Sequence, residues 1–337
     1  MTCATLETPA PRAAGAPAPA ARARYLELDG LRGLAAVAVM LFHYELYVGH
    51  HWGASIWSPL AYGSLGVQLF FMISGFVILM TARRVASVGA FALSRFARLY
   101  PAYWTACVLI FALRWLDDPA SAPRVADALL NVPMIEIAGV PRLDNVFWTL
   151  QQEMWFYLAI AALIVGRRLQ FAVWLLAAVV FTSLCGLRFT RWFGLFLIGM
   201  VLFDALQGWR PRHFVLLGLV GADLLVRSLV RRTQDVAGWE YPVGVVACAG
   251  LMFAATRQRL AWLANPPLLF LGTISYSLYL VHATLGGILI SRLHGAGWGV
   301  GAAVGTAVAS SLVVATALTF GIERPAMRWI RGRGRLG

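Results

Sequence analysis

The chain has no lysine, few charges of either sign and four cysteines, and each shortage excludes something. Charged residues make up 13% of its 337 positions, about half the usual share of a soluble chain. A water-facing surface for a protein of this length cannot be assembled from so few. Cys3, Cys107, Cys185 and Cys248 offer neither a disulfide framework nor a zinc-binding spacing, and they read as small apolar residues, so no metal site is expected. Also missing are the GxGxxG, P-loop, HExxH and GxSxG patterns, which argues against dinucleotide, nucleotide-hydrolase, zinc-peptidase and serine-hydrolase chemistry. The 28 basic residues, all arginine, give a net charge of +13. No polar domain gathers them, so nucleic acid is not the partner.

What is present is apolar. Hydrophobic residues fill 60% of the chain and the mean hydropathy is +0.72. Apolar stretches of about twenty residues recur from Leu31 to Ile322, each long enough to cross a hydrocarbon core about 30 Å thick. The fold class expected is an all-α integral membrane protein. Ten spans are expected, near 31–49, 62–82, 99–116, 149–166, 169–187, 191–207, 213–230, 238–256, 267–291 and 298–321. Residues 1–24, rich in Ala and broken by Pro9, Pro11, Pro17 and Pro19, have no continuous apolar core and read as a disordered cytoplasmic tail rather than a signal peptide. The bundle then occupies 25–328, and 329–337 forms a basic cytoplasmic tail. Between spans, 117–148 reads as a surface helix plus loop.

Orientation follows from arginine placement. With both termini cytoplasmic, the inner side receives 19 of the 28 arginines, as the positive-inside bias requires. The protein is then a multi-pass protein of the inner cell membrane, with the lipid bilayer as its solvent. Gly301 and Gly305, spaced as a small-xxx-small pair, read as a helix contact.

Ionisable groups inside spans are costly and are functional candidates by default. Here they are His43, Glu45, Glu153, Asp204, Asp223 and His282. His43 follows Arg32 by eleven residues, about three turns, so the two share one helix face roughly 16 Å apart. His282 reaches a similar depth. Glu153, near the outer end of span 4, could orient His43 as a general base, or bond an arginine or a backbone amide. Phe147, Trp148, Trp155, Phe156 and Tyr157 flank it, either as an interfacial belt or as a platform for a sugar or apolar acceptor. On the opposite side Arg95 and Arg98, spaced i, i+3, join Arg32 in a patch suited to a phosphorylated ligand, although positive-inside bias would also place arginines there.

These residues sit in recognisable strings. Leu28-Asp-Gly-Leu-Arg32-Gly-Leu-Ala-Ala36 leads to Phe42-His43; Gly63-Ser-Leu-Gly66-Val67 leads to Phe70-Phe-Met-Ile-Ser74-Gly-Phe76. Arg95-Phe-Ala-Arg98-Leu-Tyr-Pro101-Ala-Tyr-Trp104 and Trp148-Thr-Leu-Gln-Gln-Glu153-Met-Trp-Phe-Tyr157 follow, then Ile274-Ser-Tyr-Ser-Leu-Tyr-Leu-Val-His282 and Glu323-Arg324-Pro325. In this order they resemble the membrane acyltransferase-3 family over about residues 25–328. Thr149 stands where the fourth string usually has Ser. The resemblance implies ten helices and transfer of an acyl group, usually acetyl from acetyl-CoA, to a hydroxyl of a surface glycan, lipid-linked sugar or secondary metabolite. It implies a catalytic His43 and an essential Arg32.

The expected mechanism docks acyl-CoA, a co-substrate rather than a permanent cofactor, on Arg32, Arg95 and Arg98, with His43 as general base and Glu153 as its partner. Trp148, Tyr157 and His282 are the candidate acceptor-binding residues. A covalent acyl-enzyme on His43 or Ser74 stays open. The rival expectation is a multi-span glycan or lipid transporter or flippase.

Overall fold

The computed structural model describes residues 25–184, 192–230 and 239–333. The expected disordered tail, Cys3 and Cys185 lie outside the described residues. Among the described residues all regular structure is helical. The helices are α1 (Leu26–Trp52), α2 (Leu65–Ala82), α3 (Val88–Asp117), α4 (Val125–Asn131), α5 (Trp148–Val165), α6 (Ala172–Leu184), α7 (Phe193–Asp204), α8 (Pro211–Val230), α9 (Glu240–Thr256), α10 (Pro266–Gly295), α11 (Val300–Leu318) and α12 (Arg324–Arg333). Each expected span overlaps one of these helices over its described residues. Among the described residues five stretches are long and apolar enough to cross a bilayer: 26–52, 58–82, 88–117, 266–295 and 300–332. Large apolar side chains such as Val108, Leu116, Phe181, Val246 and Val313 point outward, which a lipid solvent favours and water would not. The chain is a multi-pass membrane bundle.

Two close helix approaches set the frame. At the first, a Cβ on Gly33 would sit 2.6 Å from Gly272 N, and one on Gly272 would sit 2.0 Å from Asp29 O. The backbones of α1 and α10 therefore touch, and only glycine fits at the crossing. At the second, a Cβ on Gly75 would meet Phe196 O at 2.1 Å and one on Gly199 would meet Met72 O at 1.9 Å. This seats α2 directly on α7. Tyr44, fully buried, ties three helices together: its hydroxyl lies 2.8 Å from Ser311 Oγ and donates to His282 O at 3.2 Å.

The segment 117–148 is a surface helix plus loop, as expected, and side chains hold it down. Asn131 Nδ2 donates to Pro141 O at 3.0 Å, its Oδ1 accepts from Leu143 N, and Asp144 accepts from the Thr284 hydroxyl and amide on α10. At the helix start, the Arg124 guanidinium beside Asp127 holds that carboxyl below the usual carboxylate range.

Three expectations need correction and one, the basic tail, gains detail. Gly301 and Gly305 make no helix contact among the described residues, since a Cβ at either would meet nothing within 4 Å; α11 packs instead through buried Ala303, Ala307, Ser311 and Ala315, spaced four residues apart. Helix α3 starts eleven residues before its expected span and runs through Pro101, a residue that membrane helices accommodate. Part of the expected basic tail is helical, because α12 carries the chain to Arg333. Glu45 and Asp204 have structural partners. Glu45 accepts from the Ile56 and Trp57 amides and from Ser55, pinning the loop after α1. Asp204 closes the end of α7 by accepting from Arg83, Arg212 and His213. Asp223 is buried in α8.

Candidate active site

Two cavities lie along one column of the bundle, and α1 and α10 line both. The inner cavity, about 360 Å³, is lined by Arg32, Ser74, Arg95, Arg98, Thr149, Glu153, Tyr157, Tyr276, Tyr279 and Arg331, with an apolar wall from Val67, Phe70, Phe71 and Ile73. The outer cavity, about 1120 Å³, is lined by His43, Tyr47, His50, His51, Arg114, Glu136, Arg142 and Asp144, among others. The face of α1 that carries Arg32 and His43 thus serves both, the two residues about 16 Å apart along the helix. On α10 the stripe Tyr276, Tyr279, His282 advances three residues at a time and follows the same column.

The inner cavity combines a carboxylate with several guanidiniums. Thr149, Glu153 and Tyr157, four residues apart on α5, present one face to it. The two hydrogen bonds that the Glu153 carboxylate accepts come from the Tyr157 hydroxyl at 2.5 Å and from Ser74. Arg98 donates to Glu323, a carboxylate wholly buried in the π-type turn Thr319–Glu323, which also accepts from Ser277 Oγ at 2.9 Å. Arg95 differs from Arg98. Its Nη2 donates to Ser94 and its guanidinium sits 5.9 Å from the Phe91 ring centroid, but its Nε is buried with no partner among the described residues. A buried cationic N–H without an acceptor is costly and is the donor an anionic ligand would satisfy. The cavity thus fits a phosphorylated molecule that also carries an apolar group.

At the outer cavity two histidines touch. His282, fully buried, has Nδ1 at 3.0 Å from both Leu278 O and Tyr279 O, so the hydrogen-bond network assigns its proton to Nδ1 and its lone pair to Nε2. That lone pair faces His43 Nδ1 at 3.1 Å, which also lies 2.9 Å from Val39 O. His43 Nδ1 therefore carries a proton held by two acceptors, and Nε2 is left as the basic nitrogen. Nearby, Asp118 in the loop is held below the ordinary carboxylate range by hydrogen bonds from Ser121 and the Ala120 amide. The wall of this cavity mixes apolar side chains with donors and acceptors of both signs, an arrangement that can hold the hydroxyls and the ring faces of a sugar.

The structure brings together Arg32, Arg95, Arg98, Glu153 and Tyr157, and separately His43 and His282. It parts two residues expected to act as a pair, since Glu153 lies on the inner wall and His43 on the outer one. The reason is the α5 register: the face that holds Glu153 also holds Tyr157, and Ser74 of α2 meets it there. Trp148 packs on Trp192 and Phe71, with ring centroids 4.8 and 6.0 Å away, and belongs to the aromatic packing between helices. Glu323 stood in the sequence only as the first residue of the Glu323-Arg324-Pro325 string, with no role at the site, and Arg331 only as one of the C-terminal arginines. Glu323 was legible as a lone acid closing the apolar stretch before Arg324. Arg331 carried no signal, because only the fold of α12 brings it to the cavity.

A protein-family model described as an acyltransferase domain matches residues 25–322. The exopolysaccharide production protein ExoZ of Rhizobium meliloti (strain 1021) is 29% identical over 325 residues, covering 88% of this chain and 96% of the relative. The acyltransferase MdmB of Streptomyces mycarofaciens is 31% identical over 148 residues, 40% of this chain and 38% of that protein. No solved structure matches. Together with the ordered strings along nearly the whole chain, the match establishes that this protein belongs to the membrane acyltransferase-3 family and is an acyltransferase.

Proposed function

We propose that the protein is an O-acyltransferase of the inner membrane, a ten-span bundle with both termini cytoplasmic, that moves an acyl group from acyl-CoA to a hydroxyl of a polysaccharide or lipid-linked sugar. Acetyl is the acyl group proposed, and the likeness to an exopolysaccharide production protein supports the acceptor class. The observation that carries the reading is the gathering of Arg32, Arg95 and Arg98 around one cavity, on the same α1 and α10 column that carries the His43–His282 pair beyond it. A phosphorylated donor accepts from the Arg95 guanidinium, and Arg32 adds charge beside it, with Arg98 already tied to Glu323. Pantetheine runs beside Tyr276 as far as Tyr279, and the thioester must displace that ring to meet His43, while the acceptor occupies the larger outer cavity.

In the reacting complex the acceptor hydroxyl oxygen attacks the thioester carbonyl carbon and its proton passes to His43 Nε2. The C–S bond breaks, and the imidazolium returns the proton to the departing thiolate. His282 holds the His43 ring in the productive tautomer. Glu153 acts through Ser74 and Tyr157, fixing the wall beside the arginines and balancing part of their charge.

The test is release of free CoA thiol from acetyl-CoA by purified protein in nanodiscs, with a polysaccharide fragment as acceptor. His43→Ala should lower the rate by about 10²–10⁴-fold, the usual contribution of a general base, with acetyl-CoA binding retained. A variant faster than about a third of wild type would refute the role of His43. Absence of acyl-CoA binding at millimolar ligand would refute the donor.

A further inference from the structure

Between the two cavities stands a layer one residue thick. Tyr279 and Thr149 line the inner cavity, and Val146 lines the outer one. The Tyr279 hydroxyl lies 2.7 Å from Thr149 Oγ1 and 3.0 Å from Val146 O, and Thr149 Oγ1 lies 3.1 Å from Val146 O. Two hydroxyl protons thus serve three contacts in a closed triangle. The Tyr279 ring is held on its other sides by Phe70, at 5.9 Å between centroids, and by His282, at 5.7 Å. Tyr279 is 7% exposed, so its ring fills the gap rather than lining an open passage.

A group bound in the inner cavity must pass this ring to reach His43. We propose that Tyr279 is the specificity-determining residue of the transfer: its ring, latched to Thr149 and Val146, closes the way to His43, and the space left when it is displaced limits the acyl chain that can be admitted. The proposal rests on the acyl-CoA reading above. An acetyl group needs only a small displacement of the phenol ring, whereas each added methylene needs space that Phe70, His282 and the latched hydroxyl occupy. The same closed layer keeps water from crossing between the cavities and hydrolysing the thioester. Helix α5 supplies Thr149 and the turn before it supplies Val146, so the latch belongs to the loop that also roofs the acceptor cavity. Filling the acceptor cavity can therefore shift Val146 and release the ring.

The experiment compares acetyl-, butyryl- and hexanoyl-CoA as donors for purified wild type, Tyr279→Phe, Tyr279→Leu and Tyr279→Ala, reading kcat/KM for transfer and the rate of acceptor-independent hydrolysis. A pocket discriminates one methylene by about 10–200-fold. The ratio of hexanoyl to acetyl transfer should rise at least about tenfold in the Leu and Ala variants, and hydrolysis should rise with it. Tyr279→Phe keeps the ring but loses the latch; it should keep the acetyl preference and raise hydrolysis. A merely structural tyrosine would lower all three donors together. An unchanged donor ratio in Tyr279→Leu, with acetyl-CoA still bound and consumed, overturns the gate and leaves the donor reading standing. Failure of wild type to bind any acyl-CoA overturns the donor reading, and this inference with it. If the Ala variant does not fold, the Leu and Phe variants decide the matter.

Discussion

Arg95 offers the sharpest handle on donor recognition. Arg98 is already paired with Glu323, so its charge is largely balanced before any ligand arrives. Arg95 has one N–H donating to Ser94 and another, Nε, buried without an acceptor. A phosphate oxygen accepting from the Arg95 guanidinium gains a charge-assisted hydrogen bond, worth about 1.5–3 kcal/mol. At about 1.4 kcal/mol per tenfold, Arg95→Ala should weaken acetyl-CoA binding by roughly 10–150-fold. Arg95→Lys keeps the charge but not the planar fork and should fall between. Because the phosphates are held alike in ground and transition states, the loss should appear in KM and leave kcat nearly unchanged. The assay is equilibrium binding of labelled acetyl-CoA to protein in nanodiscs over a range of salt, with turnover measured in parallel. Binding to wild type should weaken as salt rises, and the Arg95→Ala curve should be flatter. A phosphate-free thioester such as S-acetyl-N-acetylcysteamine is the control, since its use should not depend on Arg95. An Arg95→Ala protein that binds acetyl-CoA within about threefold of wild type would refute the reasoning, because a single charge-assisted hydrogen bond is worth more than that. So would an equal loss with the phosphate-free donor.

Two further perturbations test the frame that holds the site. Glu323→Ala strands the Arg98 guanidinium beside other arginines and should cost about 3–5 kcal/mol of stability, seen as a lowered melting temperature in detergent; Arg98→Met with Glu323→Met should recover much of it, and a neutral Glu323→Ala would show that the clamp is not structural. Gly199→Ala puts a Cβ 1.9 Å from Met72 O and should cost about 1–3 kcal/mol or prevent folding, whereas Gly301→Ala, with nothing within 4 Å, should leave yield and melting unchanged. Equal behaviour of the two glycine variants would refute the α2–α7 contact.

Much of this protein was legible in the chain. Low charge and recurrent twenty-residue apolar runs dictate helices, because the bilayer leaves the backbone no other way to satisfy its hydrogen bonds along the span. The eleven-residue spacing of Arg32 and His43 fixes a shared face, since helical periodicity is local geometry. The arginine triplet was legible for the same reason, and His43 with His282 from their common depth. Relations between helices were not. Glu153 is four residues from both Thr149 and Tyr157 in sequence, but whether it meets a histidine or Ser74 depends on how α5 is rotated against α2, which no single-helix pattern encodes. The small-residue pair Gly301 and Gly305 read as a contact and faces open space, while Gly33 and Gly75 make the contacts that set the bundle. Glu323 needed the π-type turn to bury it against Arg98, and Tyr279 became a partition only when α5 and α10 met. Sequence determined which faces exist; packing decided which faces meet, because that choice minimises voids and unpaired polar groups over the whole bundle at once.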